Sequence, residues 1–131
     1  MYKEIKNNLF SINASSFNDK QNSLLSEYVK LIISKQKSLN LIGKSTLSDI
    51  WSRHILDSAQ VLKYIKHKKE TGKIIDVGSG AGFPGIVLAI MGLKNLLLCE
   101  KSKKKAIFLS TVIEKLKLKT NVFNGKIETY K

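Results

Sequence analysis

The sequence predicts an α/β protein with a parallel, Rossmann-like sheet, and three observations predict it. Residues 73–131 alternate strand, helix, strand, helix, strand, the order that folds into parallel strands joined by right-handed crossovers. Within them IIDVGSGAGFPGIVLAI, Ile74 to Ile90, sets a burst of glycines between an apolar strand and an apolar helix. An acid, Glu100, ends the second strand twenty residues beyond Gly80. Residues 1–72 read as an N-terminal helical region and residues 73–131 as the first half of the sheet domain, the whole making a single domain.

Taken in order, Met1 to Asp19 is polar and broken by Asn7, Asn8, Asn13 and Asn18, a short helix at best. From Gln21 to Lys37, Leu24, Leu25, Tyr28, Leu31, Ile32 and the stem of Lys35 recur at helical spacing. Residues 39–43 connect it to a second helix. That helix is expected to start with Thr46 as its cap and Asp49 three residues on, close to a capping box. Leu47, Ile50, Trp51, His54, Ile55, Val61, Leu62 and Ile65 trace its inner face. Residues 66–72 form a charged linker ending in Gly72.

Lys73 to Val77 is short and β-branched, a buried strand. Pro84 to Met91 is a helix with Pro84 in its first turn, where the missing N–H costs nothing. Asn95 to Cys99 is the second strand. Ser102 to Leu118 is a helix with Ala106, Leu109, Val112, Ile113 and Leu116 inward, and Asn121 to Asn124 is the third strand.

The 131 residues hold 23 Lys+Arg against 10 Asp+Glu, a formal net charge of +13. Such an excess points to a polyanionic partner, nucleic acid before membrane. A composition biased toward Lys, Asn and Ile would give the same excess with no partner. No apolar stretch approaches the ~20 residues that span a bilayer, and nothing resembles a secretory signal. The single cysteine, Cys99, excludes an intrachain disulfide framework and fits a reducing cytosol. It reads as a small buried hydrophobe. A cytoplasmic chain without a metal site is the expectation.

Gly78, Gly80, Gly82 and Gly85 stand where the chain must turn tightly and let a ligand approach the backbone. Two cofactor classes compete for that turn. A dinucleotide would place its diphosphate at the helix N-terminus, and a carboxylate there would repel it. S-adenosylmethionine carries no phosphate and presents a sulfonium and an ammonium group, both positive. Asp76, two residues before Gly78, therefore favours the sulfonium cofactor. Glu100 can accept hydrogen bonds from both ribose hydroxyls in either class and does not separate them. Phe83 either packs on the cofactor or staples the helix start.

His54, Asp57 and Ser58 share a helical face. A hydrolase triad needs side chains converging from separate elements, so these three read as a local hydrogen-bond cluster that docks the helix on the sheet, with RNA or cofactor contact as the alternative. Arg53, the only arginine, suits a phosphate contact or a surface salt bridge. Lys101, Lys103, Lys104 and Lys105 crowd the first turn of a helix, an unfavourable place for cations, which tilts them toward an RNA-facing role.

Two blocks carry a resemblance to a known family. DVGSGAGFPGIVLAI, Asp76 to Ile90, includes an F-P-G that is more particular than the generic methyltransferase turn. LNLIGKSTLSDIWSRHILDS, Leu39 to Ser58, holds an N-L pair and a W-x-R-H-x-x-D-S core. In both, and in order and spacing from Leu24 to Glu128, the sequence resembles the bacterial small-subunit (16S) ribosomal RNA guanine-N7 methyltransferases, the glucose-inhibited division protein B family. The resemblance implies a class I S-adenosylmethionine-dependent methyltransferase fold with an N-terminal helical extension. It implies methyl transfer to N7 of a guanine in 16S ribosomal RNA or the small subunit, by a protein that is a monomer at full length. It places Gly78 and Phe83 at the cofactor, and Ile127 and Glu128 on an Ala-Glu pair near the adenine, with Ile127 departing from the alanine.

N7 of guanine has a free lone pair at neutral pH, so no general base is expected and no catalytic residue is nominated. A complete sheet of this class has seven strands, of which three are expected here, leaving Ile74, Ile75 and Val77 on a bare edge. The chain is expected to be a truncated product that binds its cofactor weakly and methylates poorly. A nicotinamide-dependent oxidoreductase and a non-catalytic basic RNA-binding remnant remain as alternatives.

Overall fold

The computed structural model describes residues 16–67 and 72–130. The reading of Met1 to Asp19 thus falls almost wholly outside the described residues, as does the middle of the linker. Helix α1 (Asp19–Gln36) starts at Asn18, whose side chain accepts from Gln21 N–H at 2.8 Å while Gln21 Oε1 accepts from Asn18 N–H at 3.0 Å. This is a reciprocal capping box, and it lies at Asn18, an asparagine whose sequence context marks only a break in helical period. Gln36 ends the helix and holds the following connection. Its Oε1 accepts from the N–H groups of Leu41 and Ile42, and its Nε2 donates to Asn40 Oδ1 and the Ile42 carbonyl.

The expected second helix is not one regular helix. Lys44–Asp49 is a 3₁₀ segment, Trp51–Ile55 a π turn, and α2 (Leu56–His67) follows. Thr46 does not cap it: its hydroxyl donates to the Gly43 carbonyl at 2.8 Å. The wide turn has a packing reason. Ile50 and Ile55 are both buried, and residues five apart come to one side of a π turn but not of an α-helix.

Strands β1 (Ile74–Val77), β2 (Leu96–Glu100) and β3 (Asn121–Asn124) form a parallel sheet in the order β1-β2-β3. Helix α3 (Gly85–Ile90) crosses from β1 to β2, and α4 (Lys103–Leu116) from β2 to β3. Ser102 caps α4 through the Lys105 N–H, and Lys117 ends it in the left-handed conformation, φ 55°. Right-handed crossovers running in one direction put α3 and α4 on one face of the sheet, and α1 packs across both.

One core unites the two regions. Leu25, Tyr28 and Ile32 of α1, Ile86, Val87 and Leu88 of α3, Leu98 of β2, and Leu109 and Val112 of α4 belong to a single buried cluster. Tyr130 covers part of the other sheet face. Its ring lies 5.1 Å from that of Phe123, and its hydroxyl accepts from Lys73 Nζ at 2.6 Å. β2 is buried along its whole length, whereas β1 is not the buried strand its composition suggests: it forms the edge expected from the sheet order, with Val77 59% exposed. Among the described residues no helix is long and apolar enough to cross a membrane.

Candidate functional site

Parallel strands end together, so Val77, Glu100 and Asn124 bring the chain to one edge of the sheet. There a cavity of about 600 Å³ opens, within the usual range for small-molecule sites. Its floor and near wall are Val77, Gly78, Gly80, Cys99 and Glu100. The remaining lining comes from Lys101, Lys105, Gly125, Lys126, Ile127 and Glu128.

The glycines divide into two kinds. Gly78 and Gly80 have φ of +74° and +56°, and a Cβ on either would meet nothing closer than 3.9 Å. They form the open lip of the cavity. At Gly82 a Cβ would stand 2.5 Å from Ile86 Cγ1 and 2.7 Å from the Tyr28 hydroxyl oxygen; at Gly85 one would run into Leu98 and Asp76. These two pack the turn closely on the core and do not line the cavity.

The N–H groups of the turn are bonded inward. Gly78 and Ser79 donate to the Cys99 carbonyl at 2.8 and 3.2 Å, and Gly82 donates to the Ser79 carbonyl at 2.7 Å. Gly80 donates to Glu100 Oε1 at 2.8 Å, and Gly85, the first residue of α3, donates to Asp76 Oδ2 at 3.1 Å. Glu100 Oε2 accepts from Ser102 N–H at 2.7 Å. Glu100 is therefore buried, 6% exposed, with its carboxylate plane fixed by two backbone donors. Each oxygen keeps a further lone pair for a ligand hydroxyl.

Asp76 lies on the helix side of β1, beneath the turn, and does not line the cavity. Burial pushes its carboxyl up from the ordinary value. The Ser79 hydroxyl and the Gly85 N–H pull it back, and the Glu100 carboxylate adds to the rise. Burial also raises the Cys99 thiol, and after it the charges of Glu100, Glu128 and Asp76 raise it further. Three carboxylates thus concentrate negative potential at the carboxyl edge. Cys99, buried as expected, donates weakly to the Gly125 carbonyl at 3.4 Å and forms part of the cavity lining.

Phe83 is turned away from the cavity. It lies between Tyr28, ring centroids 5.4 Å apart, and His54, stacked at 4.8 Å and 20°. His54 Nε2 bonds Thr46 Oγ1 at 2.8 Å. Because the Thr46 proton goes to Gly43, the network assigns the imidazole proton to Nε2. Burial and then the Arg53 charge lower the His54 pKa, against an opposing pull from Asp57, so the ring is neutral near pH 7. Asp57 is exposed and Ser58 buried; what docks His54 is Thr46 and Phe83. Tyr28 completes the support. Its hydroxyl donates to the Ala81 carbonyl at 2.7 Å, and burial holds its pKa well above the ordinary phenol.

The remaining sequence candidates separate. Lys101 and Lys105 line the cavity; Lys103 and Lys104 face two other hollows, and Arg53 is exposed on the π turn. Ile127 and Glu128 stand on the 3₁₀ turn after β3 and border the cavity. Sequence reasoning did not single out Val77, Gly125 or Lys126. The signal for Gly125 and Lys126 was present, since both follow the carboxyl end of a predicted parallel strand, where such sheets bind ligands.

Comparison with known proteins adds a family. The model of the family described as rRNA small subunit methyltransferase G (GidB) matches residues 21–131. Relatives named "Ribosomal RNA small subunit methyltransferase G" include one from Orientia tsutsugamushi (strain Ikeda), 42% identical over 105 residues that make up 80% of this chain and 52% of the relative. The protein of that name from Cereibacter sphaeroides is 42% identical over 110 residues, 80% of this chain and 52% of the relative. That of Rickettsia prowazekii (strain Madrid E) is 43% identical over 101 residues, 77% and 52% of the two chains. The chain spans about half the length of the curated relatives it matches.

Proposed function

The chain belongs to the rRNA small subunit methyltransferase G family, and from that premise we propose that it binds S-adenosylmethionine at the carboxyl edge of its sheet and serves methyl transfer to N7 of a guanine in small-subunit ribosomal RNA. One observation carries the choice of cofactor. Of the N–H groups that would cradle a diphosphate, that of Gly80 is bonded to the Glu100 carboxylate and that of Gly85 to the Asp76 carboxylate. A phosphate brought to this turn would meet two carboxylates in place of free donors. A positively charged ligand would meet a favourable field.

The residues present fit the group. Glu100, held by Gly80 and Ser102, is preorganised to accept from a ribose diol. Gly78 leaves room for close backbone approach. Ile127 and Glu128 border the place proposed for the adenine. Asp76 acts from beneath the turn through its charge and by capping α3. When bound, the cofactor supplies an electrophilic methyl group on a sulfonium. The chain's own task is alignment, because the guanine N7 lone pair needs no deprotonation. Holding two reactants in line can supply up to ~7–11 kcal/mol of a barrier. Lys101, Lys105 and Lys126 on the cavity rim would neutralise phosphates flanking the target base.

A second reading, RNA binding without turnover, draws on the open β1 edge. Val77, 59% exposed, leaves that side of the cavity unwalled among the described residues. Incubation with methyl-labelled donor and small ribosomal subunits, followed by hydrolysis and nucleoside separation, tests both. Slow transfer of label into N7-methylguanine, abolished in Glu100→Gln, is the expected result. RNA bound with no label transferred would replace the first reading by the second. Label on another atom would overturn the N7 assignment.

A further inference from the structure

We propose that this chain has a second RNA-contacting surface at the pole opposite the cofactor cavity, a lysine-lined groove of about 590 Å³ that takes the phosphate backbone of the same RNA. The inference rests on the reading of the chain as an RNA-modifying protein and adds a separate place of contact. The groove lies between the start of α1, the α3–β2 connection and the end of α4. Lys20, Lys94, Lys115, Lys117 and Lys119 line it, and all five are exposed. Among the described residues no carboxylate lines it; Asp19 and Glu114 adjoin lining residues in sequence but stand outside. Leu24, Leu93, Leu116 and Leu118 form an apolar floor, and charges over a low-dielectric floor in a concave site focus their field outward.

Helix dipoles do not account for this convergence. Lys115 and Lys117 do complement the C-terminus of α4. Lys20 sits in the first turn of α1, where a cation is disfavoured, and Lys94 and Lys119 lie outside any helix. The two poles also differ in kind. The cavity mixes Glu100 and Glu128 with three lysines, whereas the groove presents one sign of charge. A flat anionic membrane cannot enter a groove, and a sugar–phosphate strand can. β2 runs from the groove end at Leu96 to the cavity at Glu100, about 13 Å at ~3.3 Å per residue. One folded RNA segment can reach both.

The test compares two triple variants of the purified chain that carry the same net charge. One is Lys94→Gln, Lys115→Gln, Lys119→Gln in the groove. The other is Lys30→Gln, Lys37→Gln, Lys44→Gln elsewhere on the surface. Affinity for an in vitro transcribed small-subunit rRNA fragment is measured against salt concentration, beside cofactor affinity, thermal melting and binding to phosphatidylserine vesicles. The groove variant is expected to make the slope of log affinity against log salt shallower by about 2, at ~0.7 for each phosphate no longer neutralised. The surface variant should change it by less than half as much, with cofactor affinity and melting unchanged in both. Equal slopes in the two variants would overturn the groove, as would vesicle binding lost with the RNA slope intact. Failure of the unsubstituted chain to bind RNA would overturn the underlying reading as well.

Discussion

At Gly82 a Cβ would lie 2.5 Å from Ile86 Cγ1, at a φ of +107°. Overpacking and the left-handed backbone add, so Gly82→Ala is expected to cost about 2 to 5 kcal/mol in a urea unfolding curve. At Gly78 the φ is +74° but the space is open. There the same change should cost about 1 to 2 kcal/mol while cofactor affinity falls about tenfold or more. Equal stability losses at the two positions would contradict the division of the turn into packing and ligand-facing glycines. Asp76 gives a pH-dependent case. Its folded carboxyl holds its proton to higher pH than in the unfolded chain, so ionisation opposes folding. That cost is absent below the unfolded value of about 4 and fully present above the folded one. Asp76→Asn keeps an acceptor for Gly85 and removes the charge. It should match the parent chain at pH 4 and equal or exceed its stability at pH 7, with cofactor binding weakened. A variant clearly less stable at pH 7 than at pH 4, relative to the parent, would contradict this.

At the scale of elements, α1 supports the site although it contributes nothing to the cavity lining. Tyr28 bonds Ala81 within the glycine turn and packs on Phe83. Tyr28→Phe leaves the Ala81 carbonyl without its donor in a buried place and should cost about 1 to 3 kcal/mol by chemical denaturation. A change within error would mean that the turn holds its shape unaided. The three strands, α1, α3 and α4 were legible in the sequence to within about two residues, because glycines, one proline and an acid punctuate runs of clear period. The segment from Lys44 to Ile55 was not. Leu47, Ile50, Trp51 and His54 recur at ordinary helical spacing, which hides the switch to a π turn, and only the packing that buries Ile50 and Ile55 together chooses it. The exposure of Val77 could be expected only from the whole sheet order, since its β-branched composition suits a buried strand equally well.

Across the whole molecule, charge is arranged along the strand direction. Glu100, Glu128 and Asp76 gather at the carboxyl edge beside Lys101, Lys105 and Lys126, and at the other end five lysines line a groove that no carboxylate lines among the described residues. Much of the carboxyl edge was legible, Gly78, Gly80, Glu100, Lys101 and Lys105 from the residues' own pattern and Ile127 and Glu128 only through the family resemblance, and all seven border the cavity. Phe83 and Asp76 do not, since facing is a property of the packed turn: Tyr28 and His54 take the ring, and the Gly85 N–H takes the carboxylate. Calorimetric titration of the purified chain with S-adenosylmethionine and with NAD tests the central claim, that carboxylates occupying the turn's donors select a cationic ligand over a diphosphate. Binding of the first that weakens in Glu100→Gln, and none of the second, is the result expected. NAD bound at the same cavity with equal or higher affinity would contradict it.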